Sequence, residues 1–377
     1  MRKYLSVFLW MIYFLVSCSD HKPKETNTSE ELVEIKNAYA KRFSIKSNQH
    51  YKVLQLFGSK SNVISEFVLY KNQKPEYKGT NVYCIQVPVK HVVSLSSIYT
   101  TMLYNMGLKH RVIAIDNVDY YTNKDIIERV KKSDIAEVSK TQQLQLEKTI
   151  SLNPDIVFGF GMGEGMSDDD EKLQKINIPS ISCLDHLEES PLARTEWIKF
   201  FACFFEKETM ADSIFKAVET NYLQLKSSIT DATVKPKVMT EIKYGDTWFV
   251  PSGNSYVANL INDAGGIYFF NQNQKTGSTP LSFENVFDLA KDCDVWINLY
   301  SINTKRELVS YDERYKLFKP YKNDRLYNNN KIQNQLGYSN FWEDGILRPD
   351  LILEDLIKIF HTDTNQTANF NFYQKIQ

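Results

Sequence analysis

Two glutamates open the question of chemistry. Glu147 sits near the start of "QLEKTISLNPDIVFGFG" and Glu284 near the start of "LSFENVFDLAKDCDVWINLY". Each begins a helical stretch that runs into an acidic turn and then an apolar strand. A pair of carboxylates is the equipment of a glycoside hydrolase, one as acid and one as nucleophile. That role needs two unlike environments, because acid and base must differ in proton affinity. Two glutamates in the same local setting do not supply that difference. A negative charge at a helix start is stabilised by the macrodipole, which accounts for either residue alone. It does not account for the recurrence of the whole unit, which implies two lobes built on one plan.

Other chemistry is thinly represented. "GFGMGEG" lacks the Gly-Lys-Ser/Thr ending and the strand-to-helix spacing of phosphate loops, so its glycines are read as backbone that lets a large ligand approach. The run Asp168 to Glu171 lacks the spaced oxygens of a calcium loop and reads as a solvated helix start. Beyond Cys18, four cysteines remain, Cys84, Cys183, Cys203 and Cys293, with no metal-binding spacing; buried thiols are the expectation. His186 reads as a hydrogen-bonded histidine rather than a haem ligand. The net charge of -1 speaks against a nucleic-acid partner.

The elements that must position these residues follow from the pattern. Residues 1–18 carry Arg2 and Lys3, an apolar run from Leu5 to Val16, then Ser17-Cys18, and form an export signal too short to span a membrane comfortably. Residues 19–50 are polar and read as a flexible tether. The N-terminal lobe covers 51–189 and begins with a β-rich addition, "YKVLQLF", "NVISEFVLY" and "TNVYCIQVP". From His91 strands alternate with helices, which implies parallel sheets with crossovers. Residues 190–229 are amphipathic and helical, a stiff connector. The C-terminal lobe covers 230–377 and repeats the α/β rhythm. The fold class is α/β, two Rossmann-like lobes with mainly parallel sheets, joined by a long rigid helix, with a ligand cleft between them.

In such sheets ligands sit outside the carboxyl ends of the strands. Ser96, Ser97 and Tyr99 follow "HVVSL"; Asp116 and Asn117 follow "RVIAI". Phe160, Gly161 and Met162 close "DIVFG"; Asp185 and His186 follow "ISCL". In the second lobe Tyr244 and Trp248 flank a turn, and Tyr300 and Asn303 follow "VWINL". Tyr338, Phe341 and Trp342 form an aromatic loop. Arg348 beside it is placed either to meet a ligand carboxylate or to pair with Asp344 or Asp350. The site taken forward is Ser97, Tyr99, Phe160, Met162, Tyr244, Trp248, Asn303, Tyr338, Trp342 and Arg348. Trp248 and Trp342 lead it, both in polar, turn-like surroundings, in a chain with 22 tyrosines, 22 phenylalanines and 5 tryptophans.

The chain from about Val87 to His361 resembles class III substrate-binding proteins of ABC transporters, which carry ferric siderophores, haem and cobalamin. "VPVKHVVSLSSIYTTMLYNMGLKHRVIAID", "QLEKTISLNPDIVF" and "SFENVFDLAKDCDVWI" carry the resemblance, the last without the Pro-Asp of its counterpart. "RTEWIKFFACFFEKE", "YGDTWFVPSGNSYVANLINDAGG" and "LRPDLILEDLIKIFH" are similar to a branch of lipoproteins common in Bacteroidetes. "LVSC" resembles a lipobox, which implies lipid on Cys18 and an exported, periplasm-facing, membrane-anchored protein. The resemblance implies that Glu147 and Glu284 dock on arginine-rich pockets of a permease coupled to its ATPase. It further implies a monomer that binds a metal chelate as ligand, with no cofactor and no enzymatic activity. The alternatives are the lipid-anchored glycan hydrolase and a surface lipoprotein that scavenges a ligand without a permease.

Overall fold

The computed structural model describes residues 31–58, 60–79, 81–140, 143–161, 167–230, 232–361 and 369–377. Cys18 with its signal segment, and Met162 in the glycine-rich loop, lie outside the described residues.

A five-stranded sheet comes first: β1 (Val33–Ile35), β2 (Phe43–Ser47), β3 (Tyr51–Phe57), β4 (Val63–Tyr70) and β5 (Val82–Gln86). Its pairs are antiparallel except β4 with β5. Residues 33–47 thus belong to the sheet and not to the tether expected over 19–50. The physical reason is local: Phe43 and Ile45 are buried, and Phe43 meets Trp197 edge-on at 5.1 Å.

The first α/β lobe follows, with β6 (Val92–Ser94), α1 (Ser97–Asn105), β7 (Val112–Ile115), α2 (Lys124–Lys131) and β8 (Ala136–Glu137). A short ladder joins β9 (Ser139–Lys140) to β10 (Gln143–Leu144). Then come α3 (Leu146–Ser151), β11 (Ile156–Phe160), α4 (Asp168–Lys175) and β12 (Ser180–Cys183). The sheet order is β12-β11-β6-β7-β8, all parallel. Val92, Val93, Ile156, Val157 and Phe158 are fully buried, as strands covered on both faces should be. Asn123 caps α2 through its side chain, and Gly107 ends α1 with φ at 71°.

The connector is two helices, α5 (Pro191–Cys203) and α6 (Glu208–Ser228), broken where Glu206 takes φ of 57°. The 21-residue α6 is the long member. α5 packs its aromatic residues under the first sheet and also belongs to the core of the second lobe through Leu192.

The second lobe contains β13 (Lys237–Thr240), β14 (Trp248–Pro251), α7 (Tyr256–Asp263), β15 (Ile267–Tyr268), β16 (Ser278–Leu281) and α8 (Phe283–Ala290). It continues with β17 (Val295–Ile297), α9 (Lys305–Tyr311), α10 (Lys319–Lys322), β18 (Leu326–Asn328), α11 (Asp344–Leu347), α12 (Pro349–His361) and β19 (Gln374–Lys375). The sheet order is β15-β13-β17-β18-β19, parallel except for the last strand. β14 and β16 form a separate two-stranded antiparallel sheet.

The recurring unit now has a mechanical reading. After α3, Asn153 adopts φ of 47° and Pro154 forbids further helix. Asp155 then accepts the backbone N–H groups of Lys90 and His91 at 2.6 and 2.9 Å, fixing the start of β6. In the second lobe Asp294 accepts the N–H of Lys237 at 2.9 Å and fixes the start of β13. Asp294 therefore takes the place of the missing Pro-Asp: one carboxylate per lobe pins the neighbouring parallel strand.

Candidate functional site: a cleft at the strand ends

The carboxyl ends of the two parallel sheets meet around one cleft. From the first lobe come Leu95, Ser96 and Ser97 after β6, Asp116 after β7, Tyr120 beyond it, and Phe160 at the end of β11. From the second lobe come Glu241 after β13, Tyr300 after β17, Asn329 after β18, and Leu336, Gly337, Tyr338, Ser339 and Trp342. The cavity between them is about 490 Å³. A neighbouring cavity of about 530 Å³ shares Leu95, Asp116, Tyr120, Phe160 and Tyr338 and extends to Ser139, Leu144 and the start of α4. The size and lining suit a large ligand gripped by rings.

The rings are held, not loose. Phe160 stacks on His186 with centroids 4.1 Å apart. Tyr120 and Tyr338 touch edge-on at 5.0 Å across the lobes. Trp342 rests on Phe341 at 4.7 Å and on Tyr256 at 6.4 Å. Phe160, Tyr338 and Trp342 keep 41%, 42% and 41% of their surface exposed, and Tyr300 keeps 68%. Burial lowers the proton affinity of His186, so it behaves as a neutral support for Phe160.

Two acidic residues line the cavity with this aromatic wall. Burial pushes Asp116 up to about 7, against the Asn117 N–H and the Tyr121 hydroxyl, which favour its ionised form. Its Oδ1 has no hydrogen-bond partner within the protein. Burial pushes Glu241 up to about 8, with Asn298 opposing. Glu241 also has φ of 62°, a left-handed conformation strained for glutamate. Among the described residues lining either cavity there is no lysine, arginine or histidine.

The expected residues divide. Ser97, Phe160, Tyr338 and Trp342 come together in the cleft. Tyr99 does not: it is fully buried on α1, and its hydroxyl donates to Asp185 Oδ1 at 2.9 Å, while Arg194 takes the other oxygen at 2.9 Å. Trp248 does not either. It is a strand residue with 0% exposure, stacked on Trp296 at 5.8 Å, its Nε1 donating to the Thr240 carbonyl at 3.2 Å. Along β14 the residues alternate in and out, so Phe249 faces solvent and Trp248 the core. Tyr244 is exposed in a bridge with Thr247, outside both cavities. The side-chain oxygen of Asn303 accepts from Asn330, Gln333 and Gln374, also outside them. Arg348 is engaged bidentately by Asp350 at 2.9 and 2.8 Å, the pairing alternative, and lines neither cavity.

Sequence reasoning missed Leu95, Tyr120, Glu241, Asn329 and Leu336. Glu241 was findable, because it follows "KVMT" directly as Asp116 follows "RVIAI". The acidic run at the start of α4 is less solvated than expected: Asp170 is buried and accepts the hydroxyls of Ser167, Ser180 and Ser182. The four cysteines, Cys84, Cys183, Cys203 and Cys293, are free, and burial pushes the Cys203 and Cys293 thiols up to about 12.

Glu147 and Glu284 are exposed in the first turns of α3 and α8 and line neither cavity. Glu284 pairs with Arg314 at 3.3 Å. Its helix-start N–H, the Ser282 hydroxyl and Arg314 hold its carboxyl below the usual range. Two exposed carboxylates on separate helix starts, both outside the cleft, do not make a hydrolase site.

Residues 92–331 match the model of the periplasmic binding protein family. The chain belongs to that family. It is a binding protein of the class III ABC-transporter type, not an enzyme. An uncharacterized lipoprotein of Methanocaldococcus jannaschii is 28% identical over 312 residues, which is 80% of this chain and 72% of that protein. Two solved structures share the periplasmic binding fold. One is a periplasmic binding protein from Veillonella parvula, with a TM-score of 0.58, 12% identity, and coverage of 88% of this chain and 99% of that one. The other is a periplasmic heme binding protein from Pseudomonas aeruginosa, with a TM-score of 0.57, 14% identity, and coverage of 77% and 98%. Among the described residues no helix is long and apolar enough to cross a membrane.

Proposed function

We propose that this chain is the ligand-capturing lipoprotein of an ABC importer, anchored through Cys18 in the cell envelope and specialised for a large metal chelate such as a ferric siderophore, haem or cobalamin. The observation that carries this reading is the aromatic cleft. Phe160, Tyr338, Trp342 and Tyr300 ring a cavity of about 490 Å³ where the strand ends of both lobes converge. Flat, half-exposed rings suit a bulky chelate better than a small sugar or amino acid. The heme-binding neighbour and the lipoprotein relative support the ligand class and the anchor. Glu147 and Glu284, one exposed carboxylate on each lobe, are placed to dock the loaded protein on a permease, where opposite charge sets orientation and on-rate.

The test is tryptophan fluorescence of the full-length chain in detergent, titrated with ferric siderophores, haemin and cobalamin and corrected for absorbance. Saturable quenching by a chelate at sub-micromolar concentration is the expected result, and Trp342 is its reporter. Absence of a response to every chelate overturns the reading.

A further inference from the structure

We infer that the cleft selects chelates that are neutral or cationic and rejects carboxylate-rich ones, offering Asp116 and Glu241 to an ammonium or other N–H donor of the ligand. This rests on the proposed role as a chelate-binding protein and narrows its substrate class. The first ground is the composition of the wall. Both lobes contribute an acid at the same structural place, directly after a parallel strand, Asp116 after β7 and Glu241 after β13. Among the described lining residues no cation answers them. A ligand bearing carboxylates or catecholates would need a basic partner, and in a site of low dielectric like charges brought together cost heavily.

The second ground is an unmet hydrogen-bonding demand. Asp116 Oδ1 is buried and finds no donor within the protein. Buried acceptors are almost always satisfied, so a lone one lining a ligand cavity indicates a donor arriving with the ligand. Burial raises the proton affinity of both acids, as desolvated carboxyls without a counter-charge require, and a cationic group would reverse that.

One feature of the cleft favours the opposite charge. Ser97 opens α1, whose N-terminus carries about half a positive elementary charge. Ser96 already spends its side chain on the Ile98 N–H at 3.3 Å. Half a charge does not offset two carboxyls, so the balance stays acidic. The serine hydroxyls of the lining bind either sign and decide nothing.

The experiment uses ligands of equal bulk and different charge. The full-length chain in detergent is titrated at pH 8.5 with a ferric trihydroxamate ending in an ammonium, its N-acetyl form and its N-succinyl form. Cobalamin and a monocarboxylate derived from it by hydrolysis of one amide form a second series. In whichever series binds, the carboxylate-bearing member is expected to bind at least about tenfold more weakly than its neutral or cationic partner. In the double variant Asp116→Asn, Glu241→Gln that gap is expected to close to within about threefold. Equal or tighter binding of the carboxylate form by the unmutated chain overturns the inference and leaves the chelate-binding role standing. A gap that persists in a folded double variant overturns the assignment to these two acids. No binding in either series, together with no response to haemin or any other ferric siderophore in the fluorescence titration, removes the chelate-binding role, and the inference falls with it.

Discussion

Glu343 on the second lobe accepts both the backbone N–H of Thr122, at 2.8 Å, and the Thr122 hydroxyl on the first. The Asn340 amide donates to the same hydroxyl at 3.2 Å, and Asn334 donates to the carbonyls of Asp119 and Tyr121 at 2.6 and 3.2 Å. With the Tyr120–Tyr338 contact, these bonds clasp the two lobes along one side of the cleft. Glu343 is 1% exposed, and burial raises the proton affinity of its carboxyl.

Removing that clasp should cost stability. Glu343→Ala leaves the Thr122 N–H without its acceptor, and a loss of about 1–3 kcal/mol is expected. Glu343→Gln keeps one acceptor oxygen and should lose less. Urea unfolding of both variants reads this directly. A change below about 0.5 kcal/mol for the alanine variant would show that the clasp contributes nothing measurable.

The two tryptophans should separate cleanly. Trp248→Ala empties a site between Trp296, Tyr315 and Phe318 and is expected to cost about 3–5 kcal/mol. Trp342→Ala removes a half-exposed ring and should cost about 1 kcal/mol or less while weakening chelate binding about tenfold. Thermal melts and titrations on the same preparations give both numbers. Loss of binding with Trp248→Phe in a folded protein would contradict its placement in the core.

Docking and capture should come apart as well. With Glu147 and Glu284 both changed to alanine, chelate affinity should be unchanged and uptake by cells should fall about tenfold. Association with the permease should weaken as salt rises. The Arg314 pair at Glu284 is exposed and screened by solvent, so a permease arginine can displace it. Normal uptake by the double variant would point instead to ligand scavenging without a permease.

Asp116 and Glu241 set a pH dependence. Their carboxyls hold protons more tightly in the folded chain, up to about 7 and about 8, than the ordinary carboxylate does. A raised folded value means the contribution to stability is full at low pH and is lost as pH rises through that value. The Tyr121 hydroxyl and Glu137 act on Asp116, and Asn298 on Glu241; none is a cation that would cancel the effect. Asp116→Asn and Glu241→Gln should therefore gain in melting temperature relative to the unmutated protein as pH rises from about 4, the ordinary carboxylate value, to about 7 and about 8 respectively, and the gain should level off above those values, without added ligand. Parallel curves across that range would refute it.

The α/β rhythm was legible because parallel strands buried on both faces are apolar throughout, as in "DIVFGF" and "HVVSL". The strand-end rule found Ser97, Asp116, Phe160 and Tyr300 for the same reason. What failed is contact between segments far apart in the chain. "YGDTWFVPSG" reads as a polar turn until β14 is seen pairing with β16 and pointing Trp248 at Trp296. Tyr99 lies two residues from Ser97, yet the turn of α1 carries it from the cleft into the core. Phe43 and Ile45 were lost in a polar stretch, because the core they join is built from distant segments, Trp197 against Phe43 among them.

The fastening of residues 38–42 bears on how the molecule takes force. Glu196 on α5 accepts the N–H groups of Ala38, Tyr39 and Ala40, each at 2.8 Å, and Glu188 accepts those of Lys41 and Arg42 at 2.9–3.1 Å. Tension applied at Leu32 therefore reaches α5, which is packed into the cores of both lobes, rather than pulling on one lobe alone. The line of load bypasses the Glu343–Thr122 clasp. A tug on the N-terminal end drags the body as a unit and does not pry open the jaws that hold the cargo.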